Sequence, residues 1–331
     1  MLLVIDGNNV AWAGFHSLRR AMEPQTADEH VRSALLGLTQ SVLGMVLRAG
    51  EPPPEPGNPH PPRHAITRLV VVFDEGRPLR RRQIYAPYQT GRESNPSFME
   101  FEPVVLDGIA QFIDGMSNAP VTILRGVNTE ADDLVAACLL NDDVAEYVRI
   151  ASTDRDFMQL VDERLSIYSP VKRVVIDADN FAEHASPKLS DGTPVAFPRE
   201  RYLDYRAASG DTSDDLPGIP GVGAVTAARL VAYAPLDAYF DKPSLATDAC
   251  GRRSVKVEGA LRSGEAREIV ARNRELMDLR HAAKNYPSLA EYTTQGTWHE
   301  AEFTRWLKQD IRPGNLDQNA AIRAMAALAK T

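Results

Sequence analysis

Three short segments hold most of the residues that could do chemistry. Thr129-Glu130-Ala131-Asp132-Asp133 sets three carboxylates within four positions, Ser152-Thr153-Asp154-Arg155-Asp156 adds two, and Gly210-Asp211-Thr212-Ser213-Asp214-Asp215 adds three more. Acids in the first turn of a helix complement its dipole, and for the first segment taken alone, with Thr129 as the cap, that is the simpler explanation. An Asp-rich turn taken alone is likewise only a loop or a cap. Brought together, the segments would repel one another and raise each other's pKa values unless cations neutralised them, which points to a metal site. Every donor is an oxygen, with no His or Cys beside them, so Mg²⁺ or Mn²⁺ is favoured over zinc. Two such ions held by shared carboxylates suit the activation of water and the stabilisation of a phosphodiester's leaving oxygen.

The elements that must position these acids are legible as apolar runs. Residues 2–5, 69–73, 121–124 and 148–151 are rich in β-branched side chains and are separated by segments with helical potential, a pattern expected of an α/β fold with a parallel sheet covered by helices. Asp6, Asp74, Glu130 and Asp154 fall just past these runs, and in open α/β sheets ligands sit beyond the carboxyl ends of the strands. Asp211 and Asp214, three apart, are expected to share a helical face. Leu216-Pro217-Gly218-Ile219-Pro220-Gly221-Val222-Gly223 follows them, and its glycines would let backbone N–H groups approach a phosphate at a helix N-terminus.

The remaining composition narrows the function classes. A net charge of −8 over 331 residues excludes nucleic-acid binding by overall charge, so any such binding must use local patches. Arg77, Arg80, Arg81, Arg82 and Arg92, interleaved with Tyr85 and Tyr88, form one; Arg252, Arg253, Lys256 and Arg262 form a weaker second. Cys138 and Cys250 fit no zinc site and are read as reduced, in keeping with a cytoplasmic protein. The first apolar run is too short for a membrane span. A Pro-rich loop is expected at 51–63 as a spacer. Strand signals fade after about residue 195, which divides the chain into an α/β part, 1–195, and a helical part, 196–331.

With these residues assembled, most of residues 1–235 resembles the 5′-nuclease superfamily: flap endonucleases, bacteriophage 5′–3′ exonucleases and the 5′-nuclease domain of bacterial DNA polymerase I. The resemblance is carried by Ile5-Asp6-Gly7-Asn8-Asn9, Val72-Phe73-Asp74, Tyr88 to Arg92, the three acidic segments, and the hairpin through Gly223. It implies a PIN-like sheet, a helical arch over about 77–118, and a C-terminal helix-hairpin-helix domain whose hairpin, 218–223, grips duplex DNA through Gly218, Gly221 and Gly223 and often holds a K⁺. It implies one metal position served mainly by Asp6, Asp74, Glu130 and Asp132, and a second by Asp133, Asp154, Asp156, Asp211 and Asp214. Arg81 is expected to hold the scissile phosphate, Tyr88 to stack a base and Arg92 to contact the backbone. Two positions depart from the family pattern: Gln89 stands where a Lys is common, leaving Arg80 or Arg82 to supply the cation, and Asp215 replaces the usual Asn, where it is expected to cap a helix. The activity implied is divalent-metal-dependent 5′–3′ exonuclease and flap endonuclease action on branched or primed DNA, by a monomer in a bacterial cytoplasm or phage-infected host that works beside replication proteins. The alternatives are a catalytically weakened branched-DNA-binding module and a PIN-type ribonuclease.

Overall fold

β-Branched, uninterrupted apolar runs can be buried on both faces, and here they form the centre of one sheet. β1 (Leu2–Asp6) and β4 (Val148–Ala151) are buried throughout, and β2 (Arg68–Glu75), β3 (Thr122–Val127) and β5 (Leu165–Ser169) run parallel with them. The spatial order is β6-β5-β4-β1-β2-β3-β9, with the edge strands β6 (Val174–Ile176) and β9 (Thr293–Gln295) antiparallel to their neighbours. Asp6 pairs with Val72, Ile5 with Ala151 and Asp74 with Gly126, so the carboxyl ends of the central strands finish side by side. The computed structural model describes residues 1–51, 64–141, 147–251 and 254–331. Most of the expected Pro-rich loop, and Arg252 and Arg253 of the second basic patch, lie outside these residues.

α1 (Gly7–Met22) and α2 (Ala27–Leu47) follow β1; α3 (Leu79–Ile84), α4 (Thr90–Glu93) and α5 (Pro96–Met116) follow β2. Gly14 and Gly37 let α1 and α2 touch backbone to backbone: a Cβ on Gly14 would lie 2.6 Å from the carbonyl carbon of Gly37. These helices and α5 cover one face of the sheet, with Phe15, Leu38, Leu43 and Phe112 packed around Leu3, Ile5, Val71 and Phe73. α6 (Ala131–Asn141) covers the other face, where Leu134 and Val135 meet Val4, Val72 and Ile150. That second core runs on without a break through α7 (Phe181–Ala185), α8 (Tyr202–Ser209), α9 (Ala224–Tyr233), α10 (Leu236–Asp241), α11 (Leu245–Cys250), α12 (Ser254–Arg262), α13 (Gly264–Met277) and α14 (Leu279–Ala282). A two-stranded hairpin, β7 (Gly210–Asp211) and β8 (Leu216–Pro217), stands between α8 and α9.

The division expected at 195/196 needs correction at its far end. β9 adds itself to β3, and α15 (Glu300–Arg305) and α16 (Gln318–Leu328) return to the first face of the sheet, where Phe303, Leu307, Ile311 and Met325 are buried in the same cluster as Leu3 and Phe112. The core on that first face is therefore completed by residues from the chain's last forty positions, because the β3 edge and the α2–α5 surface would otherwise leave apolar area in water. No helix among the described residues is long and apolar enough to cross a membrane.

Candidate active site

Strand ends and helix starts carry the acids to one place. Asp6 closes β1 and caps α1, accepting from the backbone N–H of Asn9 at 3.2 Å, while its other oxygen accepts from Ser152 Oγ at 2.7 Å. Asp74, near the end of β2, accepts from Asn8 Nδ2 at 2.7 Å and from the N–H of Ala131 at 2.9 Å. The latter contact corrects the cap expected for α6: Asp74 supplies it from the neighbouring strand, and the Thr129 hydroxyl meets the Tyr286 hydroxyl. Asn9 reaches the β4 side, donating to Thr153 Oγ1 at 2.7 Å and accepting from Thr153 N–H at 3.0 Å. Asn8 and Asn9, which the sequence marks only as part of a motif, thus tie two strand ends to the start of α1.

Asp6, Asp74, Glu130, Asp132, Asp154 and Asp214 line one cavity of about 240 Å³. Burial pushes Asp6 up to about 7, against the hydrogen bond from Ser152. Burial first, then repulsion from Asp154 and Asp6, raises Asp132 well above the usual carboxylate range; burial also raises Asp74, Asp154 and Asp214. Next to this group, Asp156, Asp211 and Asp214 present oxygens that all lie within 4.8 Å of one another. Asp211 and Asp214 do not share a helical face as expected; they lie on the β7 strand and the turn after it. An all-carboxylate donor set whose protons are held this tightly fits hard divalent cations, which would replace the protons.

Arginines already neutralise part of the set. Arg81 is 4% exposed and binds Glu130 and both oxygens of Asp133, at 2.7 and 3.2 Å. Asp133 is therefore engaged by Arg81 and does not join Asp154, Asp156, Asp211 and Asp214, where the second group was expected to include it. Arg206, absent from the sequence reading, donates to Asp156 from Nε at 3.1 Å and from Nη2 at 2.8 Å, and also to Asp211. Burial pushes Asp211 up, but Arg206 and Ser213 outweigh it and hold it below the usual range; Asp156 is pushed up by burial to about 6 despite Arg206. Arg92 reaches Asp214 at 3.1 Å and is the more exposed partner of that pair. Beside the acids, Trp12 and Phe98 stack with ring centroids 5.1 Å apart and line the same cavity.

The first 186 residues match the family model for the 5′–3′ exonuclease, N-terminal resolvase-like domain. The chain belongs to the 5′–3′ exonuclease family. It is similar to DNA polymerase I of Mycobacterium bovis, 32% identical over 279 residues that make up 84% of this chain and 27% of the polymerase, and to the thermostable DNA polymerase I of Thermus thermophilus, 29% identical over 231 residues, 70% of this chain and 24% of that one. It spans about a quarter of the length of these relatives. Among solved structures, the bacteriophage T5 flap endonuclease in a pseudo-enzyme–product complex with DNA and metal ions matches with a TM-score of 0.62 at 16% identity, over 100% of this chain and 99% of that one. The T5 5′-exonuclease with bound zinc gives 0.63 at 16% identity over 99% of both chains. These two likenesses establish the fold, a mostly parallel sheet flanked by helices.

In this member of the 5′–3′ exonuclease family the stretch expected as an arch, 77–118, is divided between two jobs. α5 is a scaffold helix, with Phe101, Val105, Ile109, Phe112 and Met116 buried against the sheet and α2. The shorter part, 77–95, lies directly on the acids. Tyr88 is 4% exposed with its hydroxyl on Glu130 and Asp214, so in this conformation its ring offers no face to a base, contrary to expectation. Gln89 is buried beside it in the left-handed region (φ 54°), and Nε2 donates at 2.9 Å to both Glu130 and Asp214. Arg82 holds this backbone from below by donating to the carbonyl of Tyr88 at 3.1 Å, whereas Arg80 keeps one guanidinium nitrogen buried without a hydrogen-bond partner. Of these two arginines, Arg82 lines the acidic cavity together with Gln89. Asp215 does act as a cap, but on a different helix from its own: its carboxylate accepts from the N–H of Gly91 in α4 at 2.7 Å. Gly221 (φ 79°) and Gly223 sit in the open, with space around the position of a Cβ, and Gly223 precedes α9 without a side-chain cap on its first turn.

Proposed function

We propose that this chain is a divalent-metal-dependent 5′ nuclease that hydrolyses phosphodiesters near the 5′ ends of branched or primed DNA. The observation that carries the reading is the cavity into which six carboxylates from four strand ends, α6 and the β7–β8 hairpin converge. Asp6, Asp74, Glu130, Asp132 and Asp154 would hold one Mg²⁺ or Mn²⁺, and Asp156, Asp211 and Asp214 a second. Such ions, when bound, supply an activated water and charge at the leaving oxygen. The chain's own groups do the positioning: Arg92, half in solvent above Asp214, meets the phosphate backbone; Trp12 and Phe98 offer the aromatic surface on which an unstacked base can rest; and the open turn at Gly221 and Gly223 takes a duplex phosphate farther away. Flap or primer removal in replication and repair, in the cytoplasm, is the setting this chemistry suits.

The test is cleavage of a 5′-labelled flap substrate by the purified protein with Mg²⁺, with products sized to locate the cut. Cleavage within a few nucleotides of the junction, abolished in Asp154→Ala, is expected. Absence of any cut by the unaltered protein, or undiminished cutting by Asp154→Ala, would overturn the reading. A second reading has one observation in its favour: the neutral Gln89 bonded to Glu130 and Asp214, where a cation is usual, suits a slow enzyme that chiefly binds branched DNA. Tight flap binding with turnover that stays negligible in Mg²⁺ and in Mn²⁺ would select it. A clear preference for single-stranded RNA would select the PIN-type ribonuclease instead.

A further inference from the structure

We propose that Asn273, near the C-terminal end of α13, is a positioning residue for phosphodiester cleavage: it fixes the β7–β8 hairpin, with Asp211 and Asp214, relative to the segment 79–92 that carries Arg81, Gln89 and Arg92. The inference rests on the nuclease reading above. Asn273 is fully buried, an environment in which an amide is costly unless its hydrogen bonds are met. They are met. Nδ2 donates to the carbonyl of Ala207 at 2.9 Å and to that of Pro217 at 3.0 Å, and Oδ1 accepts from Arg272 Nε at 3.1 Å and Nη2 at 2.9 Å. Ala207 follows Arg206 on α8, and Pro217 pairs with Gly210 on the opposite strand of the hairpin, so one side chain holds both shoulders of the loop that bears the acids.

The same stretch of α13 reaches the other half of the site. Arg272 donates from Nη2 to the Pro217 carbonyl at 3.1 Å while its guanidinium lies 4.3 Å from the centre of the Tyr85 ring, just beyond α3. The Leu276 carbonyl accepts from Arg81 Nε at 2.9 Å. The Met277 carbonyl accepts from Gln159 Nε2 at 2.9 Å, at the end of the short helical turn Asp156–Leu160 that begins with an acid of the site. Leu276 and Met277 share a small buried cluster with Tyr88 and Leu216. No residue of α13 lines the acidic cavity, so its part is to set spacing and not to touch the reacting groups. A leucine keeps the branched heavy-atom outline of asparagine, though it is bulkier, and it leaves the Ala207 and Pro217 carbonyls without this donor.

The experiment compares the unaltered chain with Asn273→Leu and with Arg272→Gln, which removes the Tyr85 stack and the guanidinium donors to Asn273 Oδ1 and the Pro217 carbonyl but keeps the Asn273 amide and its own two donations. Folding is checked by circular dichroism and thermal melting, Mn²⁺ binding by electron paramagnetic resonance, flap-DNA affinity by fluorescence anisotropy in EDTA, and cleavage by single turnover at saturating Mg²⁺. Misplacement of acids by a fraction of an ångström to 1 Å is expected to lower the single-turnover rate of Asn273→Leu about 10- to 100-fold and to weaken Mn²⁺ binding, while DNA affinity stays within about threefold. Arg272→Gln should shift rate and Mn²⁺ binding in the same direction by less, and it carries the test if Asn273→Leu does not fold. An unaltered chain that never cuts the flap defeats the nuclease reading. An unaltered chain that cuts, beside folded variants with unchanged rate and Mn²⁺ binding, or with lost DNA affinity at an unchanged rate, defeats the positioning role.

Discussion

An amide at position 89 can bond to Glu130 and Asp214 but cannot neutralise them. Both 2.9 Å contacts place Gln89 Nε2 where an ammonium would sit between two carboxylates, so the position is occupied and its charge is missing. Gln89→Lys is expected to raise single-turnover cleavage about tenfold, at the modest end of what one preorganised charge contributes, because Arg92 already stands at the same Asp214 oxygen. An unchanged rate in a quench-flow assay on labelled flap DNA would show that Arg81 and Arg92 suffice. Asp6, Asp74, Glu130, Asp132 and Asp154 were legible in the sequence because each follows a recognisable local pattern, a strand end or a helix start. Arg206, Trp12 and Asn273 were not, since nothing local distinguishes an arginine that spans Asp156 and Asp211 from one in solvent, or a buried asparagine from a surface one. Tyr88 and Asp133 sit in motifs that the sequence marks, but their partners depend on how Arg81 enters between segments far apart in the chain.

At the scale of elements, the two-residue strands of the hairpin set the position of Asp211 and Asp214 more tightly than a helix would. They cross so closely that a Cβ on Gly218 would lie 2.3 Å from the carbonyl carbon of Ser209 and 2.5 Å from the carbonyl oxygen of Ala208, both backbone atoms that cannot swing aside. Gly210, at φ 75°, meets the same crossing from the other strand. Gly218→Ala is expected to cost about 1–3 kcal/mol, the usual range for overpacking, and to be seen as a lower urea midpoint with an unchanged slope. The glycine-rich turn could be read from the sequence, but the hairpin before it could not: strands this short have no periodicity to detect, and a three-residue spacing of acids mimics a helix. The central strands were readable for the opposite reason, each being a run of β-branched residues bounded by a charge.

Over the whole molecule, the buried acids make stability depend on pH and on cations together. Asp6 and Asp156 are raised by burial to about 7 and about 6 from an ordinary value of 3.8. A carboxyl raised in the fold binds its proton more tightly there than in the unfolded chain, so its contribution to stability is complete below that ordinary value and is lost as pH rises through the folded value. Without divalent cations the melting temperature is expected to fall from about pH 4 to about pH 7, and Mg²⁺ should restore it mainly at the upper end, where the carboxylates are free to bind it. Melts in EDTA that do not change over that range would contradict this account. The sheet also has a feature that its sequence hides: Thr293-Thr294-Gln295 is short, polar and exposed, yet it forms β9 against β3 and leads into Phe303, Leu307 and Met325 at the core. During synthesis, therefore, the face of the sheet shared by α1, α2 and α5 stays partly open until residues 293–328 have left the ribosome. A ribosome stalled before residue 293 holds the acids without the finished scaffold that aims them.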